Sequence, residues 1–151
     1  MLKIRMSRPD ETSQVIAIWQ SSVDATHHFL SVQDRHDIEK EVVGFFSETP
    51  VWLAVDSNDH ALGFMFLHDG HMEALFIDAK ARGQGVGKLL LSHALKMFPH
   101  LTIDVNEQNQ QAIGFYQYMG CQVIGRSERD GQGREYPLLH LNISSKVLEG
   151  F

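Results

Sequence analysis

The pattern of apolar and polar positions changes period several times along the chain, and each change marks an element. Positions 2–5 suit a short first strand. Pro9, Asp10 and Glu11 suit the first turn of a helix, where proline loses no needed donor and acids meet the positive dipole end. Val15, Ile18, Trp19 and Ser22 then share one face, which predicts a helix running to about position 23. Positions 24–32 read as a loop with two adjacent histidines. Positions 33–47 read as a second helix with Ile38, Val42 and Phe45 or Phe46 facing inward. Three strand-like runs follow at 51–55, 62–67 and 72–77, parted by turn-rich stretches at 56–60 and 68–70. Connections this short predict an antiparallel meander.

Beyond position 77 the pattern alters. A polar stretch, 78–82, leads through Gly83, Gly85 and Gly87 into an amphipathic helix whose Val86, Leu90, Ala94 and Met97 recur at helical spacing. Pro99 follows its end. Positions 101–105 form a further strand, expected parallel to the 72–77 strand because a helix separates the two. Positions 109–119 read as a helix stopped by Gly120 as its C-terminal cap. Positions 122–127 and 136–143 suit a hairpin across the loop 130–133. This order predicts an α/β (α+β) fold, a mixed central sheet of about six or seven strands flanked by about four helices. With 151 residues, the chain is expected to form one domain, 1–151, around one core.

Charge and cysteine content narrow the functional classes. Thirteen Lys and Arg against nineteen Asp and Glu give a formal charge of −6, the wrong balance for the basic stripe that a nucleic-acid footprint needs. The same charge attracts cationic acceptors over long range. Cys121 is the only cysteine, so an intrachain disulfide is excluded and a reducing compartment fits. The first residues have no signal-peptide pattern, and no run approaches the roughly 18 apolar residues of a membrane span. A cytoplasmic protein without membrane contact is expected. The nine histidines include no His-x-x-x-His spacing, and no metal is expected.

The densest chemical signal is Arg82-Gly83-Gln84-Gly85-Val86-Gly87, which joins a strand to a helix. Glycines there let backbone approach a ligand and present several N–H groups at the positive helix end, a ready phosphate site. A turn kept glycine-rich for geometry alone is the competing reading. A P-loop fails: Arg82 stands where its first glycine belongs, and Leu89 follows Gly87-Lys88 instead of Ser or Thr. A dinucleotide fold fails too. Asp104 sits at the distance of its ribose acid, but the glycines run Gly-x-Gly-x-Gly, residues 78–82 intervene, and a meander precedes.

The loop resembles the Arg/Gln-x-x-Gly-x-Gly/Ala pyrophosphate loop of the GNAT superfamily (Gcn5-related N-acetyltransferases). Downstream, Asn109, Ala112, Phe115, Tyr116 and Gly120 are similar to the family's second signature, Asn-x-x-Ala-x-x-Phe-Tyr-x-x-x-Gly-Phe, with Cys121 in place of its last phenylalanine. Both motifs occur in the right order, and the element order fits across nearly the whole chain. The run Ser22-Val23-Asp24-Ala25-Thr26-His27 and the segment Tyr136-Pro137-Leu138-Leu139 further resemble the YjaB-like branch of small bacterial members.

The resemblance implies an enzyme that moves the acetyl group of acetyl-CoA to a primary amine by direct attack in a ternary complex, with coenzyme A as product. It implies a GNAT fold with the sheet splayed between its fourth and fifth strands, where the cofactor enters. Leu75, Phe76 and Ile77 would pair by backbone with the pantetheine arm. Arg82, Gly83, Gln84, Gly85, Val86, Gly87 and Lys88 would hold the pyrophosphate, and Asn109 would hydrogen-bond the arm. Tyr116 would protonate the departing thiolate; taken alone, it reads equally as a helix aromatic in the core. Trp19, His27, His28 and Phe29 would shape the acceptor pocket, while an exposed loop remains the other reading of the histidine pair.

A lysine amine of pKa about 10.4 is neutral in only about one part in a thousand at pH 7.4, a deficit of about 4 kcal/mol, whereas an α-amine near 8 needs little help. A lysine acceptor therefore needs a base. His71 and Glu73 share one strand face. By resemblance, His71 lies where histone-type members place a glutamate, and Asp104 where ribosomal-protein N-terminal acetyltransferases place theirs. Each also fits a solvated or structural role. The acceptor stays open between a small amine and a protein amine, and the protein between monomer and homodimer. A non-catalytic acyl-CoA-binding domain is the alternative class, and a tRNA-directed acetyltransferase is opposed by the net charge.

Overall fold

A computed structural model of the chain describes residues 1–150. Seven strands and four α-helices follow in the order β1 (Lys3–Met6), α1 (Thr12–Thr26), α2 (Val32–Phe46), β2 (Trp52–Val55), β3 (Ala61–His68), β4 (His71–Ile77), α3 (Val86–Met97), β5 (His100–Asn106), α4 (Gln110–Tyr118), β6 (Gln122–Ser127) and β7 (Leu138–Ser144). The sheet order is β1-β2-β3-β4-β5-β7-β6. Of the expected meander, β2 pairs antiparallel with β3 and β4 follows β3 in the sheet; β1 also pairs antiparallel with β2, and β5 runs parallel to β4. That ladder is short: it consists of His71 opposite Thr102 and Met72 opposite Ile103, and then stops. Among the described residues, no helix is long and apolar enough to cross a membrane.

Two compact units divide the chain. The first comprises residues 1–66 and 74–90. Its core gathers Val15, Ile18, Trp19 and Val23 from α1, Phe46 from α2, Leu53 and Val55 from β2, and Phe64 from β3. The predicted inward face of α1 is the observed one. The helix outruns the expected end at position 23 by three residues. Thr26 returns its hydroxyl to the Ser22 carbonyl at 2.7 Å, and the His27 N–H reaches Val23 at 2.7 Å, which closes another turn. Ser31 then caps α2, accepting the Asp34 N–H at 3.0 Å, so the loop between the helices shrinks to residues 27–31.

The second unit comprises residues 67–73 and 91–151, of which those to 150 are described. β5 alternates strictly. Leu101, Ile103 and Val105 are buried while Thr102 and Asp104 face the other way. β7 pairs along all of β5, and buries Leu141 and Ile143 on the same side, leaving His140 and Asn142 beside Asp104 and Thr102. Gly120 ends α4 as expected, at φ +98, with the Cys121 N–H returning to the Tyr116 carbonyl at 2.9 Å. Two sequence expectations change. Met97 is 42% exposed, and Leu91 and Leu95 take the buried places on α3 alongside Leu90 and Ala94. The last strand starts at Leu138, because the Pro137 carbonyl is already engaged by the Glu107 N–H and Tyr136 turns back to Arg134.

Gly63 on β3 fixes how closely the end of β4 and the start of α3 approach. A Cβ there would lie 2.9 Å from Ile77 Cδ1, 2.9 Å from Val86 Cγ1 and 3.1 Å from the Phe76 carbonyl oxygen. Side-chain ends can yield, but the carbonyl belongs to a strand. Gly63→Ala should therefore lower stability by about 1–3 kcal/mol through overpacking, read as a lower midpoint in urea unfolding with an unchanged slope.

Candidate functional site

In the first unit, β4 gives way to a single 3-10 turn, Ala79–Ala81. Asp78 caps it: Oδ1 accepts the Lys80 N–H at 2.9 Å and the Ser21 hydroxyl at 3.2 Å. The glycine loop follows. Gly83 and Gly85 adopt φ +76 and +79, the left-handed region, and nothing lies within 4 Å of where a Cβ would stand on either. Gly83, Gln84 and Gly85 are exposed, whereas Val86 is buried and anchors the helix start. The Leu89 N–H closes the first helical turn on the Gly85 carbonyl at 3.0 Å, so the loop runs directly into the positive end of α3. Open backbone, exposed amides and the positive helix end make this loop a cradle for a phosphate-bearing group. Lys88 is exposed beside it, and Gly87 is half-buried. Leu75, Phe76 and Ile77 are half-buried on β4, with the Phe76 ring 5.5 Å from that of Phe64.

The loop between α1 and α2 belongs to the same unit. Thr26 donates its one hydroxyl proton to Ser22, so the 2.7 Å contact between Thr26 Oγ1 and His27 Nδ1 requires His27 to donate from Nδ1. Its Nε2 is then the unprotonated nitrogen. Burial, reinforced by the charge of Arg82 and then of His28, lowers the His27 pKa to about 4. The ring is 5.2 Å from that of Phe29. His28 is exposed and donates from Nε2 to the Ala25 carbonyl at 3.0 Å. Trp19 lies deeper, 2% exposed in the core, with the Arg35 guanidinium 4.8 Å from its ring centre.

In the second unit, the outward face of the sheet carries a row of polar side chains, hydrogen-bonded at both ends and joined in the middle by a longer His71–Asp104 contact. Thr102 Oγ1 meets His71 Nδ1 at 2.6 Å, His71 Nε2 lies 3.4 Å from Asp104 Oδ2, and Asp104 Oδ1 meets His140 Nδ1 at 2.6 Å. Ser127 Oγ closes the row on His140 Nε2, also at 2.6 Å. His71 and Asp104, two of the residues read as bases from sequence, are thus neighbours. Glu73 stands apart, exposed at the first position past the β4–β5 ladder. Sequence reasoning did not single out His140 or Ser127. Alternation along β7 puts His140 on a polar face, but placing it against Asp104 requires knowing that β7 lies between β5 and β6.

α4 holds the remaining candidates. Asn109 is its N-cap, nearly buried, and its Oδ1 accepts the Ala112 N–H at 3.1 Å, which leaves the side-chain NH2 as its donor toward a ligand. Tyr116 is 6% exposed, its ring 5.4 Å from Phe115. Burial first, and then the neighbouring Cys121, push its phenol well above the usual range. Burial likewise pushes the Cys121 thiol up to about 12.

Comparison with known proteins bears on the family and the fold. Residues 3–121 match the Acetyltransferase (GNAT) family. The chain is 55% identical over 141 residues to the peptidyl-lysine N-acetyltransferase YjaB of Salmonella typhimurium, covering 93% of this chain and 97% of that one. It is 52% identical to the peptidyl-lysine N-acetyltransferase YjaB of Escherichia coli, with 93% and 96% covered. The solution structure of the apo form of YjaB from Escherichia coli superposes with a TM-score of 0.90 over 94% of this chain and 97% of that chain.

The His27 shift fixes a pH dependence. Its folded pKa lies below the ordinary 6.5, so the unfolded chain binds the proton first as pH falls. Stability on this account is full above about pH 6.5 and declines down to about pH 4. His27→Gln should flatten that part of the stability curve, measured by urea unfolding between pH 7 and pH 4.

Proposed function

This chain belongs to the GNAT family of acetyltransferases, enzymes that use acetyl-CoA, and we propose that its acceptor is the ε-amine of lysine in a protein. The observation that carries the proposal is the identity of 55% over 93% of the chain to a peptidyl-lysine N-acetyltransferase. A second support is chemical. A lysine ammonium needs a base, and the polar row of the second unit offers imidazoles beside a carboxylate. The charge of −6 draws cationic acceptors.

Acetyl-CoA fits the residues present: the open, exposed Gly83 and Gly85 leave room for a pyrophosphate against the loop backbone. It supplies an activated acetyl thioester. Arg82, Gly83, Gln84, Gly85, Val86, Gly87 and Lys88 bind the pyrophosphate, chiefly through backbone N–H groups and the helix end. Leu75, Phe76 and Ile77 offer backbone to the pantetheine arm, and Asn109 offers its side-chain NH2. His27, His28 and Phe29 border the acceptor, whereas Trp19 is buried in the core of the same unit and acts there as packing. His71 takes the lysine proton, directly or through water, with Asp104 holding its ring, and Glu73 supplies a second carboxylate. The chain works as a single acetyltransferase domain in the cytoplasm, where its one thiol stays reduced.

Tyr116 gives its proton to the departing thiolate. A phenol raised by burial would be a poor donor to a thiolate in water. A thiolate expelled into equally dry surroundings would likewise be a stronger base, because burial penalises its charge.

Tyr116→Phe removes the proton and little else. Turnover of a lysine peptide should fall by about 10²- to 10⁴-fold while the dissociation constant for coenzyme A stays within a factor of about two. Thiol release and isothermal titration read the two quantities. Unchanged turnover would remove Tyr116 from the reaction, and absent turnover in the parent protein, with coenzyme A still bound, would favour an acyl-CoA-binding role.

A further inference from the structure

Ser127, His140 and Asp104 stand in the relation of nucleophile, base and orienting acid. Asp104 Oδ1 can only accept, so His140 carries its proton on Nδ1, 2.6 Å away. The lone pair of the neutral ring is then on Nε2, and the Ser127 hydroxyl donates to it at 2.6 Å. This is the tautomer and sequence of contacts by which an imidazole activates a serine. The three residues come from β6, β7 and β5, so rigid sheet positions hold them.

Local structure makes room for the constellation. β6 bulges between Val123 and Gly125, directly opposite His140. The bulge re-aims the side chains after it. Gly125 faces His140, and a Cβ there would come within 3.4 Å of the imidazole Cδ2. The ring therefore lies across the glycine toward Ser127, two residues on. Asp104 is held from its other side as well, with His71 Nε2 3.4 Å from Oδ2. One same-face step along β5 and β7, Thr102 and Asn142 pair with each other. With Gln122, Ile124, Leu101 and Ile143 they help to line an open hollow of about 370 Å³, whose lining does not include Ser127, His140 or Asp104. Ile124, 58% exposed, supplies an apolar wall to that hollow.

We propose that the Ser127–His140–Asp104 row is a second acyl-transfer centre, at which Ser127 takes the acyl group of short carboxylic esters and thioesters and passes it to water. Ser127 Oγ bonds to the acyl carbon as its proton passes to His140 Nε2. The alcohol or thiol leaves with that proton, and the enzyme holds an acyl-serine ester. Water then attacks the ester, His140 taking a proton from the water and returning it to Ser127 Oγ as the carboxylic acid departs. Neither step uses the lysine acceptor, Tyr116 or the glycine loop.

The probe is p-nitrophenyl acetate with the full chain, following p-nitrophenolate release and mapping acetyl by peptide mass spectrometry after an acid quench. The expected result is acetyl on Ser127, with hydrolysis lowered at least about a hundredfold in both Ser127→Ala and His140→Ala. Acetylation of a lysine peptide from acetyl-CoA should remain within a factor of about two in Ser127→Ala, which shows that variant folded and separates this centre from the acetyltransferase reaction. Parent-level hydrolysis in a Ser127→Ala protein that still acetylates lysine, or acetyl found only on other residues, overturns the proposal.

Discussion

A strand that leaves its ladder early must find other partners for its backbone. Each N–H and C=O that would have continued the pairing has to meet water or a ligand, since a buried orphan costs as much as a lost hydrogen bond. β4 pairs with β5 at His71 and Met72 and no further. The stretch after Met72 is also where sequence resemblance puts the backbone that receives pantetheine, at Leu75, Phe76 and Ile77. An extended ligand arm is a natural partner for extended backbone. Much else serves this strand. Gly63 lets its end approach β3, Asp78 turns the chain immediately after it, and two left-handed glycines bring the next amides to the helix start.

The same early end gives the polar face its chemistry. At the closed end of the ladder, His71 is fixed by Thr102 and faces Asp104, and β7 brings His140 to the other carboxylate oxygen. One carboxylate thereby orients two imidazoles, and the far nitrogen of each ring meets a hydroxyl.

Local signals in the sequence carried most of the fold. Alternation located the strands, helical spacing located α1, α3 and α4, and Gly120 marked the end of α4 because only the left-handed region suits that turn. The glycine loop and the Asn109–Gly120 motif were legible because their chemistry is contiguous. What escaped depends on contacts made at a distance or on small caps. The three extra residues of α1 rest on a Thr26 hydroxyl, and the exposure of Met97 on which residues of α3 pack inward. His140 and Ser127 lie 36 and 13 residues from their partners, and only the β5-β7-β6 order joins them.

The most direct test is amide hydrogen exchange along β4, followed by NMR with and without acetyl-CoA. The account predicts that at least one amide among Leu75, Phe76 and Ile77 exchanges quickly in the free protein and becomes protected when acetyl-CoA binds, together with amides of residues 83–88. Equal protection in both states, or no protection of these strand amides at saturating acetyl-CoA while acetyl transfer proceeds, would contradict it.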